Sequence, residues 1–281
     1  MASGASSPSC VELSELKDLT IRSLPPQMAH MILTTIRVPN CKSLRIQYEK
    51  SPNGTYGLLT DPAMQHLTSR ISSAIAASKR RVIRCSANEV TITLQDAVYD
   101  FVSLTFNWDW QFTPPDGLAN ALEMGESSEV VFEIHGNCST VGIQPLLLSR
   151  CNITTITMSM GPASMNNALL RFLTQPIATN DGKRRWPVAG LEMLLVDYGR
   201  LDREGLVEMI PGRWVGLRED GSGESVVVEP CKPMCFGIRD DRNLEPDNIK
   251  ELRPIFGSNF IYSPTDHIAE DDEEDGDDDD G

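Results

Sequence analysis

The chain has no G-x-G-x-x-G, Walker loop, H-E-x-x-H or G-x-S-x-G, so dinucleotide, P-loop, zincin and nucleophile-elbow chemistry all lack a starting motif. Gly221-Ser-Gly223-Glu is only a loop, with no strand signalled before it and no helix after it. Histidine is scarce: His30, His66, His135 and His267 stand in four unrelated contexts. The seven cysteines are odd in number and irregular in spacing, which excludes a disulfide framework. Cys231 and Cys235 are the closest pair, and the second pair that a structural metal site wants is missing. No apolar run approaches the ~18 residues of a membrane span, and the first residues lack the pattern of a signal peptide. The expectation is a chain of the reducing cytoplasm or nucleus, with no membrane, cofactor or metal and no catalytic residues.

Positive charge is also short. Lys and Arg number 25 against 40 Asp and Glu, for a net charge of -15. Eleven acids and no Lys or Arg fall within residues 266–281, and the other 29 acids against 25 bases leave only -4. Lys79-Arg80-Arg81 and Lys183-Arg184-Arg185 are short and sit where a helix is expected to end, complementing its dipole. With no basic stripe, nucleic acid is not an expected partner.

What is present is a repeat. Ile153-Thr-Thr-Ile156-Thr-Met158 is followed by an apolar helical patch at Leu169, Leu170, Leu173 and Ile177. Leu191-Glu-Met-Leu194-Leu-Val196 is followed by a helix from Asp202 through Leu206, Val207 and Ile210 to the stop Pro211-Gly212. Both strands follow L-x-x-L-x-L, and strand plus helix is the unit of a leucine-rich-repeat solenoid. The same spacing recurs at Leu16–Ile21, Cys41–Ile46 and Phe101–Phe106, and more weakly at Val130–Ile134. Val82–Cys85 and Val90–Leu94 alternate like strands, with Ala87-Asn88 as a turn between them.

Helices are expected where Met28, Met31, Ile32 and Ile36 share a face up to Pro39, over 61–79, over 118–122, around 142–149, and from Pro246 to Phe256 behind a last strand Met234–Ile238. The fold class is therefore α/β, an irregular leucine-rich-repeat solenoid with a curved parallel sheet and helices on its convex side. It should span 13–262, between a disordered leader over 1–12 and a disordered acidic tail over 263–281.

Side chains alternate faces along a strand, so the last two apolar residues of each copy point inward and their neighbours outward. The outward set is Thr20 and Arg22, Arg45 and Gln47, Thr91 and Thr93, Thr105 and Asn107, Glu133 and His135, Thr157 and Ser159, Leu195 and Asp197, and Gly237 and Arg239. From these, Arg45, Gln47, Thr91, Thr93, Thr105, Asn107, Glu133, His135, Thr157 and Asp197 form the candidate surface for a protein target. Trp108 and Trp110, with Phe106 and Phe112, either anchor a partner or cap the core. The acidic tail either solubilises the chain or engages a basic partner such as a histone, which makes an acidic-tailed basic-protein binder or chaperone the alternative reading.

Ile36-Arg-Val-Pro39-Asn-Cys41-Lys-Ser-Leu44-Arg-Ile46, Arg84-Cys85 ahead of Val90–Leu94, and Trp186-Pro187-Val-Ala-Gly-Leu191-Glu-Met-Leu194 resemble the leucine-rich-repeat portion of F-box-like proteins from mushroom-forming (basidiomycete) fungi, over roughly residues 13–262. The resemblance implies substrate recognition in a Skp-cullin-F-box ubiquitin ligase, with a Skp-type adaptor as second partner. Two features depart from that pattern. The turn position that carries Asn or Cys in regular repeats holds Leu24, Glu49, Asp109, Gly161 and Gly199, and only fifteen residues precede Leu16. Leu24–Leu33 resembles the start of an F-box, yet its flanking strands place it as the helix of the first repeat.

Overall fold

In the computed structural model the described residues are 10–48, 78–87, 89–95, 101–107, 129–138, 140–148, 152–178, 184–198, 200–201, 206, 213, 217–218, 227–228, 235–239 and 246–263. The expected helix over 61–79 lies outside them except for Ser78 and Lys79, which are not helical, and the expected helix over 118–122, the aromatics Trp108, Trp110 and Phe112, the loop at Gly221–Gly223, His66 and the acidic tail also lie outside them.

Ten strands form one open sheet: β1 (Asp18–Leu24), β2 (Ser43–Tyr48), β3 (Arg80–Ser86), β4 (Glu89–Gln95), β5 (Phe101–Asn107), β6 (Glu129–His135), β7 (Ile153–Ser159), β8 (Met193–Asp197), β9 (Cys235–Arg239) and β10 (Phe260–Ser263). Their spatial order is β1-β2-β5-β4-β3-β6-β7-β8-β9-β10. All pairs are parallel except those of β4, which runs antiparallel to both β3 and β5.

The repeat spacing becomes register. One row runs Leu19, Leu44, Leu104, Ile92, Ile83, Phe132, Ile156, Leu194, Phe236, Phe260. The next runs Ile21, Ile46, Phe106, Val90, Cys85, Ile134, Met158, Val196, Ile238, Tyr262. Two apolar residues two apart in every strand thus become two unbroken apolar lines across the sheet. Apart from Leu104 and Phe106, whose side chains are not among those described, and the half-buried Leu19 and Tyr262, these residues are buried.

Four helices pack against these rows in the same cluster. They are α1 (Pro26–Thr35), α2 (Thr140–Leu148), α3 (Ala163–Leu173) and α4 (Pro246–Phe256). Each buries a helical stripe: Ala29 and Leu33; Ile143, Leu146 and Leu147; Met165, Leu169, Leu170 and Leu173; Ile249, Leu252 and Phe256. At the β10 end, Phe236, Phe256 and Phe260 close the core as an aromatic triplet with centroids 4.5 to 5.9 Å apart.

Several expectations are corrected. Copies do not stack in chain order, because the chain passes from β2 to β3, returns through β4 to β5 beside β2, and crosses again to β6. Met28 and Met31 are exposed on α1, because its inward stripe is Ala29, Ile32 and Leu33. The α1 helix stops at Thr35, where Ile36–Arg37 pairs with Val11–Glu12. Ile177 is not helical but pairs with Arg185 in a short antiparallel ladder. Of the helix expected from Asp202, Leu206 is helical, and the stop at Pro211-Gly212 lies outside the described residues. Cys235–Arg239 is not the last strand, since β10 follows it.

The basic triplet at 79–81 also divides. Lys79 is exposed, Arg80 stands 3.9 Å from Glu129, and Arg81 is buried with its Nε donating to Ser78 Oγ.

Cys85 and Cys138 are buried thiols. Burial pushes the Cys138 thiol up to about 12 and that of Cys85 well above its ordinary value. Both thus stay protonated in the folded chain at pH values where an unfolded thiol ionises. Stability therefore falls as pH rises above ~8.5, because only the unfolded state releases those protons. Iodoacetamide at pH 8 with peptide mapping should label the exposed Cys10 first, and Cys85 and Cys138 only after denaturant is added.

Candidate functional site

The face opposite the helices is built from the residues between and beyond the two apolar rows. Its central row reads Thr20, Arg45, Thr105, Thr91, Arg84, Glu133, Thr157, Leu195, Gly237, Ile261, again unbroken across ten strands. The row beside it has three stretches: Arg22 with Gln47; Asn107, Glu89 and Ser86; and His135, Ser159, Asp197, Arg239 and Ser263. Nearly every candidate surface residue falls in these two rows. Thr93 lies one row further, opposite Ser103 and Val82. Asn107 holds its register position, but its side chain is not among those described.

Cross-strand pairing ties the face together. Arg84 Nε donates to Glu133 Oε2 at 2.7 Å, and His135 Nε2 lies 3.5 Å from the same oxygen. Arg45 meets Glu89 at 3.6 Å and Arg239 meets Asp197 at 3.7 Å. The hydroxyls of Thr91 and Thr105 are 3.3 Å apart, and Thr105 is buried by its neighbours. Partly exposed pairs of this kind, each with a half-buried acid, contribute on the order of 1 kcal/mol or less to folding. Their main consequence is a fixed pattern of charge. Arg84, Ser86, Glu89 and Ile261 belong to the face but escaped sequence reading, because β3 and β4 are not copies of the repeat and β10 has only four residues.

His135, Ser159 and Asp197 are consecutive in one row, which invites a hydrolase reading. The order opposes it: serine sits in the middle, with His135 and Asp197 two strand spacings, or about 10 Å, apart. Among the described residues no hydrogen bond joins Ser159 to either. The row sets these polar groups side by side, with Ser159 itself buried.

At the carboxyl ends of the strands the chain turns the same way each time. Ser23, Gly136, Met160 and Tyr198 each follow the last face residue of β1, β6, β7 and β8, and all have positive φ, at 54°, 68°, 57° and 50°. The N–H groups of Gly136, Met160 and Tyr198 donate to Ser159 O, Asp197 O and Arg239 O, so the ladder continues one step past the strands. Asn166 of α3, fully buried, braces the turns by donating from Nδ2 to Gly161 O and Arg200 O. It does from a helix what a turn asparagine does in regular repeats. Asn137 stands three positions after Ile134, where a regular repeat carries its turn residue, but its side chain is exposed and makes no hydrogen bond among the described residues. Sequence reading missed it because Glu129 weakens that copy's first position.

Asn137, Met160, Gly161, Pro162, Tyr198 and Arg200 line an open depression of about 480 Å³ at this rim. At the opposite strand ends, a cavity of about 210 Å³ is lined by Trp186 to Gly190 with Leu147, Leu148, Asn152, Ile153, Ile177 and Arg185.

Among the described residues no three His, Cys, Asp or Glu side chains come together as metal ligands, and no helix is long and apolar enough to cross a membrane. Cys235 is half-buried in β9, while Cys231 lies outside the described residues. No protein-family model matches the chain, and comparison with curated proteins finds no match.

Proposed function

We propose that the chain is a non-enzymatic, protein-binding repeat scaffold whose open sheet face holds its target. One observation carries the reading: the same register that keeps two rows apolar under the helices holds a run of hydroxyl and charged groups, from Thr20 to Thr157, on the other side. Mixed charge with hydroxyls suits a protein surface better than a phosphate backbone. The finer form of the proposal is an irregular solenoid serving as substrate receptor in an F-box-type ubiquitin ligase, or a relative without the F-box.

Met28 and Met31, 46% and 57% exposed on α1, form an apolar pair that the fold leaves uncovered, and they fall in the Leu24–Leu33 segment that resembles an F-box start. Pull-down of the purified chain with a Skp-type adaptor tests this form. Binding lost on Met28→Glu/Met31→Glu with an unchanged melt is expected for an adaptor site. An intact fold that ignores the adaptor removes the ligase role and leaves a receptor of another kind.

A further inference from the structure

Stability favours glycine at the three rim positions after β6, β7 and β8, because a left-handed backbone strains any residue with a Cβ. Only the first position has it. The other two carry Met160 and Tyr198 in the same strained conformation, with side chains 69% and 54% exposed and thus contributing little burial in return. Folding does not account for two large side chains held out to solvent on strained backbone, and such outliers cluster at binding sites.

Arg45, Arg80, Arg84 and Arg239 each stand beside an acid on a neighbouring strand. Arg200 lines the depression with Met160 and Tyr198, and its guanidinium makes no ion pair among the described residues.

We infer that this rim anchors an extended acidic peptide segment of a partner protein. Its apolar side chain sits on Met160 and Tyr198, and a neighbouring carboxylate takes Arg200 in a charge-assisted pair. The inference rests on the protein-binding reading and names the chemistry of the segment bound. Tyr, Met and Arg are the types that interfaces enrich, and a carboxylate is what an arginine guanidinium recognises best.

The probe is a phage-displayed library of random linear peptides, selected on the intact full-length chain, with winners measured by fluorescence anisotropy. Winners should carry an apolar residue next to Asp or Glu. Their affinity should fall at least ~10-fold in both Tyr198→Gly and Arg200→Ala. Tyr198→Gly should melt at the same or a higher temperature than the parent, an outcome that a purely structural tyrosine would not give. Winners without acids, or affinities unchanged in both variants, overturn the inference, as does a clearly lower melt for Tyr198→Gly.

Peptides lost on Glu133→Arg but not with the rim variants also overturn it, while sparing the reading of the open face as a binding surface. If Asp266→Asn/Glu270→Gln in the full chain raises peptide affinity ~10-fold or more, the rim's occupant is the chain's own acidic segment, and the partner assignment falls.

Discussion

Arg213→Ala is expected to lower the thermal midpoint by roughly 6–12 °C, corresponding to about 3 kcal/mol in a chain of this size. Arg213 is 1% exposed, and its guanidinium donates to three carbonyls: Nη1 to Leu173 O and Pro187 O at 2.8 Å, and Nη2 to Val188 O at 2.7 Å. One acceptor is the last residue of α3, where positive charge also offsets the helix dipole. The other two lie in the turn that begins at the buried Trp186 and Pro187 and leads into β8, with Val188 at φ 50°. The side chain therefore clips a helix end to a strained turn.

Truncation leaves those acceptors without the donors they have, and buried unmet carbonyls cost ~1–3 kcal/mol each before relaxation or water entry. Lysine at 213 keeps the charge but not the planar fork, so Arg213→Lys should fall between parent and alanine variant. Circular dichroism melts decide it, and a midpoint within about 1 °C of the parent for Arg213→Ala would remove the clip from the account.

The Trp186-Pro187 motif was visible in the sequence, but its holder was not, because Arg213 lies 26 residues from Pro187. The same distinction governs the rest of the fold. Leu44 with Ile46, Ile156 with Met158 and Leu194 with Val196 could be placed inward from spacing alone, because period 2 is a local property of a strand.

Strand direction is not local. An alternating pattern reads the same in both directions, so Val90, Ile92 and Leu94 fill their rows equally well in an antiparallel strand. The close succession of β3 and β4, paired up to Ser86 opposite Glu89, is legible from their alternating patterns, while the return of β5 to the side of β2 is not. Spacing puts Met28 and Met31 on one helical face with Ile32, and only packing reveals that Ala29 and Leu33 take the inside. The rim escaped notice for the opposite reason: Met and Tyr are not turn residues, and nothing in their neighbourhood signals a left-handed backbone. Asn166 is likewise a mid-chain asparagine until α3 brings it under Gly161.

On the proposed function, the open face rather than the helix side binds a protein. Glu133 is its pivot, touching Arg84 and His135 at the middle of the central row. Glu133→Arg would place a third basic side chain there. Because the site is partly exposed, the fold should lose no more than ~1 kcal/mol, whereas a target matched to the native charge pattern should lose at least ~100-fold in affinity, or ~2.7 kcal/mol.

The direct measurement uses a photo-crosslinking residue at Thr157 on the open face and, in a second protein, at Arg171 on the exposed side of α3. The protein captured in cells is identified by mass, and its affinity for the purified chain is compared with and without Glu133→Arg. Capture at Thr157 and not at Arg171, with affinity lost on Glu133→Arg, is the predicted result. Capture from Arg171 alone, or a captured partner indifferent to Glu133→Arg, would contradict it.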